Sequence, residues 1–121
     1  MPRNRENATE NSTITGTVDT RTVGGQLSQV QITVTSSAQA LSSLLTAASG
    51  SVLTNRSAVL LYNKGGVTVY LSTASGVTAS NGHPIDPTIT PPTLELPLSD
   101  ANDVYLITAS TSCTMSVLQT T

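Results

Sequence analysis

From residue 26 onward the chain alternates apolar and polar positions in short runs. In Ser28–Thr35, Val30, Ile32 and Val34 point one way, and Gln29, Gln31, Thr33 and Thr35 the other. That period of two predicts a strand with one buried face. Ala38, Leu41, Leu44, Leu45 and Ala48 then follow helical spacing. They predict one short helix over 38–48 at one end of the sheet, capped by Ser36 or Ser37 and ended by Gly50. Ser57–Asn63 and Val67–Leu71 are aliphatic, β-branched and of strand length. Lys64-Gly65-Gly66 between them supplies the positive-φ residues of a tight reversal, which predicts a hairpin. Val59, Leu61 and Asn63 share one face of its first strand, and Ala58, Leu60 and Tyr62 the other. Both faces are largely apolar, so that strand is expected to be buried on both sides. Val67, Val69 and Leu71 face inward in its partner. Leu94, Leu96 and Leu98 form another alternating set. A final pair spans 103–109 and 113–118, joined by Ser110-Thr111-Ser112, with Cys113, Met115 and Val117 on one face. Short strands separated by turn residues define an all-β chain, an antiparallel β-sandwich or barrel with one short helix.

Residues 1–25 differ from this body of residues 26–121. They hold Arg3, Arg5, Glu6, Glu10, Asp19 and Arg21, half of the charged side chains, but only Ile14, Val18 and Val23 as sizeable apolar residues. Thr13–Val18 has the alternation of one short strand, with Ile14 and Val18 on one face. Such a segment builds no core alone, and Gly24-Gly25 separates it from the body. Two readings stand: a disordered tail, or an extended N-terminal arm that orders on a partner by adding a strand to a sheet edge.

Composition narrows the picture. The chain has no Trp or Phe, three Tyr and 10% charged residues, with Ser and Thr filling about three positions in ten. Hydroxyls thus replace charges on the exposed strand faces. A body of this size buries roughly 60–65% of its chain surface. Its core also lacks large aromatics, so stability is expected to need help. One cysteine forms no disulfide within the chain, and one Cys with one His makes no metal centre. Association with other copies is left, and a homo-oligomer is expected. A net charge of −2 without a basic stripe argues against nucleic acid. No apolar run reaches the roughly 18 residues of a membrane helix. No apolar segment follows the basic first residues, as a signal peptide requires, so synthesis in a cytoplasm is expected.

Candidate chemistry is sparse. His83, the sole histidine, lies in Asn81-Gly82-His83-Pro84-Ile85 without a nucleophile and orienting group at fixed spacing, so a turn role outweighs catalysis. Cys113 alternates with buried positions and reads as an inert thiol. Asp100-Ala101-Asn102-Asp103 lacks the glycine and distal glutamate of a calcium loop and reads as a turn. Asn55-Arg56-Ser57 matches a glycosylation triplet that has no meaning without secretion. Pro84, Pro87, Pro91, Pro92 and Pro97 stiffen 84–97 into an edge segment or a pre-ordered contact loop. No enzyme activity, cofactor or metal is expected.

One resemblance adds to this. Val59-Leu-Leu-Tyr-Asn63, Val69-Tyr-Leu71, Gly76-Val-Thr-Ala-Ser-Asn-Gly-His-Pro-Ile85, Leu94-Glu-Leu96, Asp103-Val-Tyr-Leu-Ile107 and Met115-Ser-Val-Leu118 resemble small virion proteins of tailed bacteriophages, nearest to capsid decoration, or cement, proteins. The resemblance implies a β-sandwich or barrel, often a homotrimer, on the outer surface of the phage head, clamping major capsid protein subunits together. Under it the partner-binding residues are Arg3, Arg5, Ile14, Val18 and Arg21 of the arm, and Asn81, His83, Pro84 and Pro91 of the displayed loop. The alternative is a tail or head-fibre β-domain that binds a host-surface glycan or protein. Sugar recognition there would need an aromatic platform, for which only Tyr62, Tyr70 and Tyr105 are available.

Overall fold

The computed structural model describes residues 25–121, which form an all-β sandwich of two four-stranded antiparallel sheets and one short helix. The strands are β1 (Leu27–Val34), β2 (Gln39–Ala40), β3 (Ala58–Asn63), β4 (Val69–Ser72), β5 (His83–Ile85), β6 (Thr93–Leu96), β7 (Tyr105–Thr108) and β8 (Cys113–Thr120). Helix α1 is Leu41–Ala47. One sheet runs β1-β8-β3-β6 and the other β2-β7-β4-β5. The arm expected at 1–25 lies almost wholly outside the described residues.

Between the sheets lies one aliphatic core. The first sheet contributes Ile32, Val34, Val59, Leu61, Cys113, Met115 and Val117. Facing them are Val69, Leu71, Ile85 and Leu106 of the second sheet, with Leu41, Leu44 and Leu45 of the helix. The alternation of β1 and β8 puts the expected residues inside, and Cys113 is a buried thiol.

The hairpin over 57–71 does not form. β3 is an inner strand of the first sheet, between β8 and β6, while β4 belongs to the second sheet. Lys64-Gly65-Gly66 therefore carries the chain from one sheet to the other. The physical reason is in Asn63, whose Oδ1 accepts from the Gly65 N–H while its Nδ2 donates across the sandwich to the carbonyls of Val67 and Ile85. Gly65 also lies so close to the Cys113 sulfur that a Cβ there has no room. Nor do β7 and β8 pair; residues 109–112 likewise cross between sheets. β3 is also not buried on both sides. Val59, Leu61 and Asn63 are buried, Ala58 and Leu60 are half-buried, and Tyr62 is exposed.

The helix is shorter than expected, because Gln39 and Ala40 pair with Leu106 and Tyr105. Neither Ser36 nor Ser37 caps it. Its first turn is held instead by Asp103, whose Oδ1 accepts from the Ser42 N–H and whose Oδ2 accepts from the Ser42 hydroxyl. At the other end Ser49 takes the left-handed conformation (φ 65°), and the Gly50 N–H donates to the Leu45 carbonyl. Gly50 serves close packing rather than positive φ, since a Cβ there would lie 2.8 Å from a Val30 methyl. The helix packs against β1 and β2, closing that flank of the sandwich.

Candidate contact surface

The displayed loop between β4 and β5 is held by its own polar groups. Asn81 Oδ1 accepts from the Thr78 N–H at 2.7 Å, its Nδ2 donates to the Gly76 carbonyl, and the Gly82 N–H donates to the Thr78 carbonyl. Gly82 is wedged against Tyr70 and the buried Val77, with no room for a side chain. The Asn81 side chain is thus spent on the loop itself, whereas His83 and Pro84 lie exposed in β5.

Residues 86–92 form the neighbouring ridge. Asp86 starts it: one carboxylate oxygen accepts from both the N–H and the hydroxyl of Thr88, each at 2.8 Å. Those bonds favour the ionised form and hold the carboxyl below its ordinary value. A group depressed in this way contributes its stabilisation above the ordinary carboxylate range and loses it as pH falls through the folded value. Acidification below about pH 4 is therefore expected to loosen this turn while the core stays intact, seen as a lower protection factor of the Thr88 amide once its exchange rate is referred to the intrinsic rate at each pH. An Asp86→Asn variant should show little of that pH dependence; a Thr88 amide indifferent to acid would contradict the account.

A cleft of about 110 Å³ separates β5 from the ridge, lined by His83, Pro84, Asp86, Ile89, Pro92 and Leu94 among others. A broader groove of about 510 Å³ on the other side of Ile89 is lined by Tyr62, Lys64, Gly65, Pro87, Pro91 and Pro92. Ile89 is 58% exposed and Tyr62 42% exposed, two of the three large apolar side chains most open to solvent among the described residues. The structure therefore places His83 and Pro84 on one wall of the cleft and Pro91 on the ridge across it, with Asn81 in the loop before β5. Ile89 lies on the ridge and Tyr62 borders it; Tyr62 was named in the sequence only as a possible sugar platform, and Ile89 not at all. Arg3, Arg5, Ile14, Val18 and Arg21 lie outside the described residues.

Tyr62 also opens onto the outer face of the first sheet. Register places Gln31, Ser116, Tyr62 and Thr93 in one row and Gln29, Leu118, Leu60 and Glu95 in the next. Leu27, Thr120 and Ala58 complete the face, with Leu27 70% exposed. Glu95 is its one ionisable strand residue besides Tyr62, and Lys64 reaches in from the rim to Gln31 Oε1 at 3.1 Å.

The remaining body charges cluster elsewhere. Arg56 is buried and donates to the carbonyls of Leu98, Ser99 and Asn102 and to Gln119 Oε1, between 2.8 and 3.1 Å. Burial lowers the basicity of its guanidinium, against the opposing fields of Asp103 and Asp100. This is a cage inside the fold, not a site open to a ligand. Among the described residues no three His, Cys, Asp or Glu side chains converge as metal ligands would. No family model, curated protein or solved structure matches the chain.

Proposed function

We propose that this chain is a structural virion protein, a capsid decoration or cement protein that binds the major capsid protein on the outer surface of a phage head. The reading rests on its resemblance to such proteins and, in the structure, on one observation above all. The exposed Ile89 and Pro91 lie on a proline-stiffened ridge that the exposed Tyr62 borders on one side and that faces His83 and Pro84 across a narrow cleft on the other. A ridge whose backbone is already fixed loses little entropy on docking, and apolar tips set among prolines suit a dry, salt-tolerant contact. Copies of the chain are expected to associate as well, since a body without large core aromatics gains from shared surface.

Purified virions made with and without this chain test the reading. The full-length protein is expected to saturate shells lacking it at a fixed ratio to capsid subunits. Ile89→Asp should weaken that binding at least tenfold, about 1.4 kcal/mol, without changing the melting temperature. Absence of shell binding would overturn the proposal. The groove beside Tyr62 and Lys64 favours one second reading, a fibre domain gripping a host glycan on an aromatic platform. Glycan-array signal abolished by Tyr62→Ala, with no shell binding, would establish it instead.

A further inference from the structure

Every open sheet needs something at its edges, because an edge strand carries unpaired N–H and C=O groups. Among the described residues, three of the four edges are short or blunted by proline. β2 is two residues long. β5 is three residues long with Pro84, which has no N–H, at its centre. β6 lies between Pro92 and Pro97, and the Thr93 N–H already donates to the Pro91 carbonyl.

The fourth edge is β1, which is different. It runs eight residues, Leu27–Val34, without proline, glycine or charge. Its pairing fixes which groups are free. Gln26 donates to Thr121 Oγ1 and accepts from the Thr121 N–H, so it is turned toward the C-terminal strand. Antiparallel alternation then turns Ser28, Val30, Ile32 and Val34 toward β8. Leu27, Gln29, Gln31 and Thr33 direct their backbone donors and acceptors outward. None of these four backbones has a partner among the described residues. The long side chains of the edge lie back over the sheet: Gln29 Nε2 donates to Ser116 Oγ, and Gln31 Oε1 accepts from Lys64.

We infer that β1 is a docking edge for a second copy of the chain, paired antiparallel with that copy's β1 about a two-fold axis. The occupant follows from the other edges. A head-to-tail contact joins two different surfaces, and among the described residues no second open edge of this length exists for β1 to meet. Among them, another β1 offers the matching open partner. The strand is self-complementary in the required way. With Val30 on the axis, Leu27 lies opposite Thr33 of the second copy and Gln29 opposite Gln31 of the second copy. Each such pair exchanges two N–H···O bonds, and no like charges meet. The pairing joins the two first sheets into one and extends the sparsely charged outer face across the axis. A strand-sized contact of this kind is weak, dissociating at about micromolar concentration. The inference is independent of what else the chain binds, and it departs from the threefold association that the phage resemblance implies.

Sedimentation equilibrium of the full-length protein through the micromolar range, with amide hydrogen exchange, tests it. The expected mass rises with concentration to twice the 12.4 kDa of the chain, and the amides of Leu27, Gln29, Gln31 and Thr33 become protected in step. Gln31→Pro removes an N–H that makes no bond among the described residues, so the variant should stay folded and monomeric. The double variant Gln29→Glu/Gln31→Glu sets carboxylates opposite each other only in the pair, and decides the matter if the proline variant fails to fold. A monomer at every concentration, with or without protected β1 amides, would overturn the inference. So would a threefold mass, or a twofold mass that survives both variants.

Discussion

Replacing Arg56 by alanine is expected to destabilise the fold by roughly 3 kcal/mol or more, the largest loss from any single truncation of a body charge. The guanidinium makes four hydrogen bonds, to the carbonyls of Leu98, Ser99 and Asn102 and to Gln119 Oε1. Gln119 is itself fully buried and accepts from the Leu53 N–H while donating to the Ser51 carbonyl. One side chain thus ties the loop 51–56 and the turn 98–102 to the closing strand. Alanine would strand several buried carbonyls at once, and an acceptor left without a donor keeps its full desolvation cost. Neither Asp100 nor Asp103 touches the guanidinium directly; Asp100 is bonded to the Asn55 N–H and Asp103 to Ser42. Arg56→Lys keeps the charge but replaces the planar fork with a point donor, so it should recover only part of the loss. Urea unfolding of the three proteins measures this directly. A midpoint unchanged in Arg56→Ala would show that the cage contributes nothing.

Nothing in the sequence around Arg56 announces this role. Asn55-Arg56-Ser57 reads only as a chance glycosylation triplet, and a lone arginine between two polar residues is ordinarily solvated. The one usable signal was scarcity, since beyond residue 25 the basic residues are Arg56 and Lys64 only. Alternation carried far more. It identified the inward faces of β1 and β8 because a period of two has only two solutions, inside or outside. It did not carry sheet membership. Val59, Leu61, Val69 and Leu71 alternate identically whether their strands pair or face each other across a core, so a crossing at Lys64–Gly66 looked like a hairpin. The ridge was legible in part. Prolines mark stiffness wherever they fall, which located His83, Pro84 and Pro91. Ile89 lies on the same stretch between Pro87 and Pro91, where nothing in the local pattern marks it as exposed, and Tyr62 joins only because β3 turns its outer face toward the ridge, a long-range fact that local pattern does not hold.

The same crossing underlies the second large effect: Asn63→Asp should cost several kcal/mol at neutral pH, and much of that should return on acidification. Asn63 is buried at the end of β3. Its Nδ2 donates to the carbonyls of Val67 and Ile85, each at 2.8 Å, and its Oδ1 accepts from the Gly65 N–H and the Cys113 thiol. Aspartate is nearly the same shape, so packing around Gly65 and Cys113 is preserved. What changes is that two carbonyl oxygens lose their donor and face an anion. A buried charge without a compensating partner costs several kcal/mol, and this pushes the introduced carboxyl's folded pKa above its unfolded value near 3.9. The sign follows by linkage. Above the raised folded pKa the variant bears the full penalty. As pH falls through that value and toward the unfolded one, the folded state takes up the proton and can donate again to one carbonyl. The wild-type carboxamide does not titrate, so the stability difference between the two proteins should narrow steadily with acid. Parallel denaturant titrations across the acid range would read it out. A difference that stayed constant with pH would mean that the introduced carboxyl reaches solvent, and that the link across the sandwich at Asn63 is not sealed by the close approach of Gly65 to Cys113.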